Sequence, residues 1–464
     1  MSDGIYNALL SASVPQSAIL SQVRAPPGVI AAGPADSSGP LCGAAIDLGT
    51  TTVVGCLVDL ETGAILATAS AMNRQITYGE ELMTRIGYAS SDAGLQALRN
   101  AALESINAVL VSLAGSAGIR PDSIMDTCIA GNTVMNHLLC GTAPTELDLA
   151  NAPVSRAPVE MTAECLGICT MPGSAVYILP NVSRFVGGDA IGDALAAGLY
   201  TADDLSLVID LGTNGEIMLG NKDWTASVSC ASGPAFEGAG IMHGMRAMKG
   251  AIDHVKSDPA TQGISFTTID NAPARGICGS GIIDTAVAML ETGALDFAGK
   301  ICHPHPRVRA GPAGYEYLLA PASATATGRD IVITRQDIDY LMDSKAAACG
   351  SIAVLLKKYK CTVADIRYVY LAGAFGAYTD IDNATRLGIL PEFPNAEVCP
   401  IGNGSLSGAY ATLVSTRCRS IAEHLAGHMV YIDLLVETSF AEEYSAALYI
   451  PGHPELFPSS RKTA

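Results

Sequence analysis

The chain has 464 residues, 49% of them hydrophobic, enough for two or more domains with sizeable cores. Its 27 Lys and Arg stand against 45 Asp and Glu, and a formal net charge of -18 argues against nucleic acid or an anionic membrane as partner. The start Met1-Ser2-Asp3-Gly4 carries no basic signal sequence and no stretch has the apolar length of a membrane span, so a cytoplasmic chain is expected, its 13 cysteines small buried residues.

Residues 1–42 read as a linker or N-terminal remnant, with Pro26-Pro27-Gly28 and Gly33-Pro34 as its markers. From Cys42 an apolar strand leads into Asp47-Leu48-Gly49-Thr50-Thr51-Thr52, followed by a second strand, a polar turn at Asp59 to Gly63 and a third strand from Ile65. A helix is expected over Gly94 to Leu113, with Leu98, Ala102, Ile106 and Leu110 on one face, then a strand at Asp126 to Ala130. A small-residue helix from about Val186 to Leu199 precedes the next strand. That strand ends in Asp210-Leu211-Gly212-Thr213-Asn214-Gly215-Glu216, and the strand–turn–strand–turn–strand pattern repeats. Glycine-dense turns follow at Ser232 to Gly240 and Gly276 to Gly281. After them come a long helix over Gln336 to Leu356, the strand Tyr368 to Ala372 with its turn Gly373 to Gly376, and a helix opened by Gly402-Asn403-Gly404. Strands alternating with helices imply an α/β fold with mixed sheets.

The repeated turn carries the chemistry. Gly49 and Gly212 allow a sharp bend and close approach of a ligand. The Thr hydroxyls and bend amides can donate to phosphate oxygens. Asp47 and Asp210 would repel bare phosphate, and fit if hydrated Mg2+ lies between carboxylate and phosphate. One such string can be an ordinary turn; two in matching contexts point to similar half-domains facing a nucleotide triphosphate.

Other motifs carry less. Cys165 and Cys169 are the closest cysteine pair and nothing clusters around them, so no iron–sulfur cluster is expected on the chain. Cys302-His303-Pro304-His305 lacks a second cysteine pair nearby and is not expected to be a metal site, and His424 with His428 lacks a third, acidic ligand, a lone pair at that spacing being usually a surface feature.

The order of these motifs resembles the sugar kinase, heat-shock chaperone and actin superfamily. Within it, the wording is similar to the reductive activators of corrinoid enzymes. The matching strings include Tyr78-Gly79-Glu80 with Arg85-Ile86, Gly131 to His137, Phe185 to Asp189, Asp210 to Glu216, Gly233 to Ala239 with Gly244 to Ala247, Arg275 to Asp284 and Leu371 to Gly376. The resemblance covers residues 43–440 and implies two actin-like (ribonuclease H-like) half-domains, 43–204 and 205–464, with C-terminal helices that can return to the first. It implies ATP and Mg2+ as cofactors and reactivation of a corrinoid protein partner from Co(II) to Co(I). Members usually carry an iron–sulfur domain. Here the resemblance leaves a separate ferredoxin-like electron donor, a chain without redox function, or a chain trimmed of that domain. A homodimer is a further expectation.

By the same resemblance, Thr50, Thr51, Thr52, Gly212, Thr213 and Asn214 surround the phosphates, and Asp47 and Asp210 hold Mg2+ through water. Asp189 stands near the attacking water, or simply caps its helix. Glu216 lies beside the second turn, or serves a cross-strand partner. Gly373, Ala374 and Phe375 match the adenosine turn, with Gly281 and Ser280 near it. Lys345 lies on the helix used against the adenosine, where a Lys stem can also merely cover apolar surface. A small-molecule kinase and an ATP-gated scaffold remain the alternative functions. Gly233-Pro234-Ala235-Phe236-Glu237-Gly238 and Gly276-Ile277-Cys278-Gly279-Ser280-Gly281 are not kinase wording.

Overall fold

The computed structural model describes residues 40–460. The expected linker over residues 1–42 therefore lies almost wholly outside the described residues. The chain folds into two compact units. Among the described residues the first comprises 40–208, 218–227 and 401–435, and the second 209–217, 228–400 and 436–460.

The first unit holds a six-stranded sheet of β1 (Cys42–Leu48), β2 (Thr52–Asp59), β3 (Ile65–Met72), β4 (Ile124–Ala130), β5 (Val159–Thr162) and β6 (Ala175–Ile178), in the order β3-β2-β1-β4-β6-β5. β1 pairs antiparallel with β2 and parallel with β4, which sets Asp47 opposite Val54 on one side and Ala130 on the other. The helix Asp92–Ala117 starts where the Ser91 side chain accepts from the Gly94 amide and ends at Gly118, whose left-handed φ of 69° closes it. Its buried face (Leu98, Ala102, Ile106, Val109, Leu110, Leu113) packs into one core cluster with Ala44, Ile46, Leu48 and Leu57. The expected period and the observed buried face agree.

The small-residue helix is Gly188–Ala196, shorter than expected at both ends, and its composition has a packing reason. It lies against the helix Gly404–Val414 so closely that a Cβ on Gly408 would come within 2.1 Å of the Gly192 Cα. Only glycines permit that approach.

A second six-stranded sheet contains β7 (Ser206–Leu211), β8 (Gly215–Gly220) and β9 (Thr225–Cys230). The second unit has two three-stranded sheets. One is β10 (Ala251–Asp258), β11 (Gly263–Thr268) and β12 (Gly276–Ile277), in the order β11-β10-β12, and the other β13 (Val308–Gly311), β14 (Gly314–Ala320) and β15 (Ile331–Thr334), in chain order. β16 (Tyr368–Ala372), β17 (Glu397–Gly402) and β18 (Val430–Tyr431) complete the second large sheet, ordered β17-β16-β7-β8-β9-β18. The long helix runs Arg335–Tyr359, opened by a capping box between Thr334 and Asp337 and closed by Lys360 at φ 55°. Two stretches read as turns are helical: Gly279–Glu291 follows directly on Ile277, and Gly373–Tyr378 follows β16. Among the described residues no helix is long and apolar enough to cross a membrane.

Seven cysteines are buried (Cys42, Cys56, Cys128, Cys230, Cys278, Cys349, Cys418), while Cys165 is exposed and the other five are half-buried. All thirteen are free thiols.

Candidate functional site

The first Asp-Leu-Gly-Thr turn joins β1 to β2 and is braced from below by side chains. Asn132, the N-cap of the helix Thr133–Cys140, donates through Nδ2 to Thr50 Oγ1 at 3.2 Å. Asn73 Nδ2 donates to the Gly49 carbonyl at 2.9 Å. Arg85, wholly buried, donates to Thr50 O at 2.7 Å, Gly79 O at 2.8 Å and Gln75 Oε1 at 3.1 Å. Burial among these neutral acceptors lowers the Arg85 pKa to about 10.

Asp47 is tied down by a segment more than 350 residues away. Asn403 Nδ2 donates to its Oδ2 and Ser405 Oγ to its Oδ1, both at 2.8 Å. Asn403 also caps the helix Gly404–Val414, accepting from the Leu406 amide at 2.7 Å. Burial pushes the Asp47 pKa up, and the two donors pull it back. A carboxylate has about four lone-pair sites, so these bonds leave room for a further water. Asp189 lies in the first turn of the helix Gly188–Ala196, where its Oδ1 accepts from the Ala190 amide at 2.7 Å.

The second turn joins β7 to β8. Gly373, at φ 69°, is fitted against Asp210: a Cβ there would come within 2.5 Å of Asp210 Oδ1. The structure thus brings together two residues assigned to different parts of the site. Thr213 Oγ1 donates to Glu237 Oε2 at 3.2 Å, and Ser232 Oγ donates to the Gly212 carbonyl at 3.0 Å. Burial raises the Glu237 pKa, while the Thr213 donors and the Arg246 charge oppose the rise.

Several expected site residues are engaged otherwise. Glu216 is buried and accepts from Ser229 Oγ at 3.2 Å, the cross-strand alternative. The Phe375 ring is buried against Phe236 at 5.6 Å between centroids, so only its backbone is available to a ligand. Gly281 lets its helix approach β10, since a Cβ would meet the Ile252 carbonyl at 2.3 Å, and Ser280 Oγ donates to Asp253 O at 2.9 Å.

Lys345 requires a correction. Its buried ammonium donates to the carbonyls of Ala447, Tyr449 (2.9 Å) and Pro451 (3.2 Å), so all three of its protons are spent on the C-terminal segment. Burial lowers its pKa to about 8. The helical pattern showed that Lys345 sits among apolar residues; it could not show which backbone would cover it.

Among the described residues no three His, Cys, Asp or Glu are grouped to hold a metal. His303 stacks on Tyr315 at 4.8 Å, and the rings of His424 and His428 lie 4.1 Å apart. The oxygen donors at the second turn suit a hydrated Mg2+ rather than a softer metal.

Sequence reasoning missed Asn403, Ser405 and Glu237 as site residues. Glu237 had a local signal, since it is the only acid within a glycine-rich string quoted for the resemblance. Asn403 and Ser405 had only the Asn403-Gly404 helix start.

Comparison with known proteins identifies the family. Residues 204–461 match the family model described as the C-terminal domain of RACo, the ASKHA domain, and residues 42–202 match the RACo middle region. The corrinoid activation enzyme RamQ of Eubacterium limosum is 32% identical over 87% of this chain and 70% of its own length. The [Co(II) methylated amine-specific corrinoid protein] reductase of Methanosarcina barkeri is 26% identical over 79% of this chain and 68% of its own. A solved reductive activator for corrinoid, iron–sulfur protein superposes with a TM-score of 0.84 at 39% identity, over 91% of this chain and 68% of that one. The fold is that of the actin-like ASKHA domain, and the chain belongs to the RACo family.

Proposed function

We propose that this chain is an ATP-dependent reactivator of a corrinoid protein, adding one electron to inactive Co(II) to restore the Co(I) used in methyl transfer. The observation that carries the reading is the similarity to RamQ over most of both chains. A separate reduced donor, such as a ferredoxin-like protein, supplies the electron. ATP makes the unfavourable reduction possible if it binds two conformations of the activator with different affinities.

The turn residues have distinct tasks in this reading. Gly49, Thr50, Thr51 and Thr52, with Gly212, Thr213 and Asn214, line the phosphates, and Gly373 and Ala374 offer backbone to the adenosine. Mg2+, when bound, would neutralise phosphate charge and orient the nucleotide's terminal phosphate oxygens. Asp210, at the end of β7, is assigned to hold its water. Asp47, already bonded to Asn403 and Ser405, would add a further water contact. Asp189 is a candidate to orient the attacking water. The protein acts in the cytoplasm, where donor and corrinoid partner meet it, and a homodimer is compatible with that role.

The test is calorimetric. Mg-ATP should bind the purified chain, and Asp210→Ala should weaken binding at least about tenfold, the loss of one charge-assisted contact. Unchanged affinity in that variant would remove the site assignment.

A further inference from the structure

The two Asp-Leu-Gly-Thr turns are alike in sequence and opposite in hydrogen-bond sense. Thr50 Oγ1 accepts a hydrogen bond, from Asn132. Thr213 Oγ1 donates one, to Glu237. A hydroxyl has one proton and two lone pairs. With a lone pair engaged, Thr50 keeps its proton for an oxygen such as a phosphate's. With its proton directed at a carboxylate, Thr213 meets any other group as an acceptor. The Thr213 backbone N–H is bonded to the same carboxylate, so both of that residue's donors converge on Glu237.

Glu237 is held in this position by its surroundings. It ends a single turn, Pro234–Glu237, bounded by Gly233 at φ 69° and Gly238 at φ 78°. A Cβ on Gly238 would lie 2.4 Å from the Met245 carbonyl, and one on Gly279 would lie 1.8 Å from the Phe236 carbonyl. The backbone on either side of Glu237 is therefore packed without slack. A Cβ on Gly212 would lie 3.1 Å from Glu237 Oε1, so the carboxylate rests beside the glycine of the turn itself.

The charges around the turns differ in the same direction. The first turn has the buried Arg85 guanidinium on the Thr50 carbonyl, and Asp47 there receives a donor on each oxygen. The second has Asp210 at the end of β7 and the Glu237 carboxylate beside Gly212, and its cation, Arg246, acts on Glu237 and not on the turn's own backbone. Negative charge and oxygen lone pairs favour a hard cation, and oppose a bare phosphate.

We propose that Glu237 is a positioning residue that makes the second turn cation-facing: it holds Thr213 as an acceptor for the hydration shell of the divalent ion accompanying the nucleotide. Thr50, in the matching position of the first turn, is a donor to phosphate oxygen. This rests on the Mg-ATP reading given above and assigns a polarity that the two identical motifs do not express.

The test is the affinity for ATP measured by calorimetry with Mg2+ and again with EDTA, so that the gain due to the cation is read apart from the affinity itself. Thr213→Val and Glu237→Ala should each cut the Mg2+-dependent gain by about tenfold, the worth of one charge-assisted hydrogen bond, and leave the EDTA value within about twofold. Thr213→Ser, which keeps the hydroxyl, should retain the gain. Thr50→Val should lower both affinities by the same factor. If Glu237→Ala fails to fold, Glu237→Leu, which fills much of the same space and accepts no hydrogen bond, is read by the same ratio. Equal losses with Mg2+ and EDTA in Thr213→Val would make Thr213 a phosphate donor and overturn the proposal. An unchanged gain in both Thr213→Val and Glu237→Ala would overturn it as well, leaving the pair purely structural. Wild-type protein that binds ATP in neither condition would instead overturn the nucleotide reading on which it stands.

Discussion

Gly373 is shaped by Asp210. Its φ of 69° and the 2.5 Å that would separate a Cβ from Asp210 Oδ1 both exclude a side chain. Gly373→Ala should therefore cost about 1–3 kcal/mol of stability through backbone strain and the clash. It should also weaken Mg-ATP binding by displacing the carboxylate. Chemical denaturation and calorimetry on the same sample check both effects. A variant of full stability and affinity would show that the carboxylate moves aside without consequence.

Lys345 joins the long helix Arg335–Tyr359 to the segment that ends the second unit. Lys345→Met keeps the volume and leaves the carbonyls of Ala447, Tyr449 and Pro451 without that donor, so a loss of roughly 2–4 kcal/mol is expected. The pH dependence has a definite sign. Burial lowers the native pKa from 10.5 to about 8, so the unfolded chain binds the extra proton between those values. Wild-type stability should then rise relative to Lys345→Met as pH increases from about 8 toward 10.5. Melting temperatures of both proteins across that range provide the measurement.

Arg85 supports the first turn with a charge set among neutral oxygens. Arg85→Met removes the donors to Thr50 O, Gly79 O and Gln75 Oε1 and should destabilise by about 3 kcal/mol or more. Arg85→Lys supplies a point charge in place of a planar fork and should recover only part of that. Urea titration of the two variants ranks them. Equal stability of Arg85→Met and wild type would mean that water replaces the guanidinium.

Arg184 and Asp433 form a buried ion pair at 3.0 Å, their side chains 4% and 2% exposed. Asp433 also accepts from the Asn151 amide at 3.1 Å. Removing either charge alone leaves the other buried, at a cost of about 3–5 kcal/mol. The double variant Arg184→Met, Asp433→Leu should lose less than the sum of the single changes, and a double-mutant cycle reads the coupling.

The local half of this structure was legible. Asp47 and Asp210 end strands as expected, because apolar runs broken by Asp-Leu-Gly-Thr have few other solutions in an α/β chain. The long helices were visible in their apolar period and came out one to four residues longer at each end, since caps such as Ser91 and Lys360 lie outside the apolar pattern. Glycines misled where they serve packing: Gly279 and Gly281 open a helix lying against β10, and composition alone reads them as a turn. The site's supporting contacts were least legible. Asn403 and Ser405 reach Asp47 from the far end of the chain, and nothing in either string announces the other. Lys345 shows the reverse error, a resemblance carried to a residue whose own carbonyl neighbours hold it elsewhere.

The most direct test of reactivation follows the absorbance of a Co(II) corrinoid protein mixed with this chain and an external reductant, with and without Mg-ATP. Conversion to Co(I) that requires ATP, and that Asp210→Ala slows at least about tenfold, is the predicted result. Conversion at the same rate without ATP, or none with any corrinoid protein encoded beside this chain's gene, would contradict it.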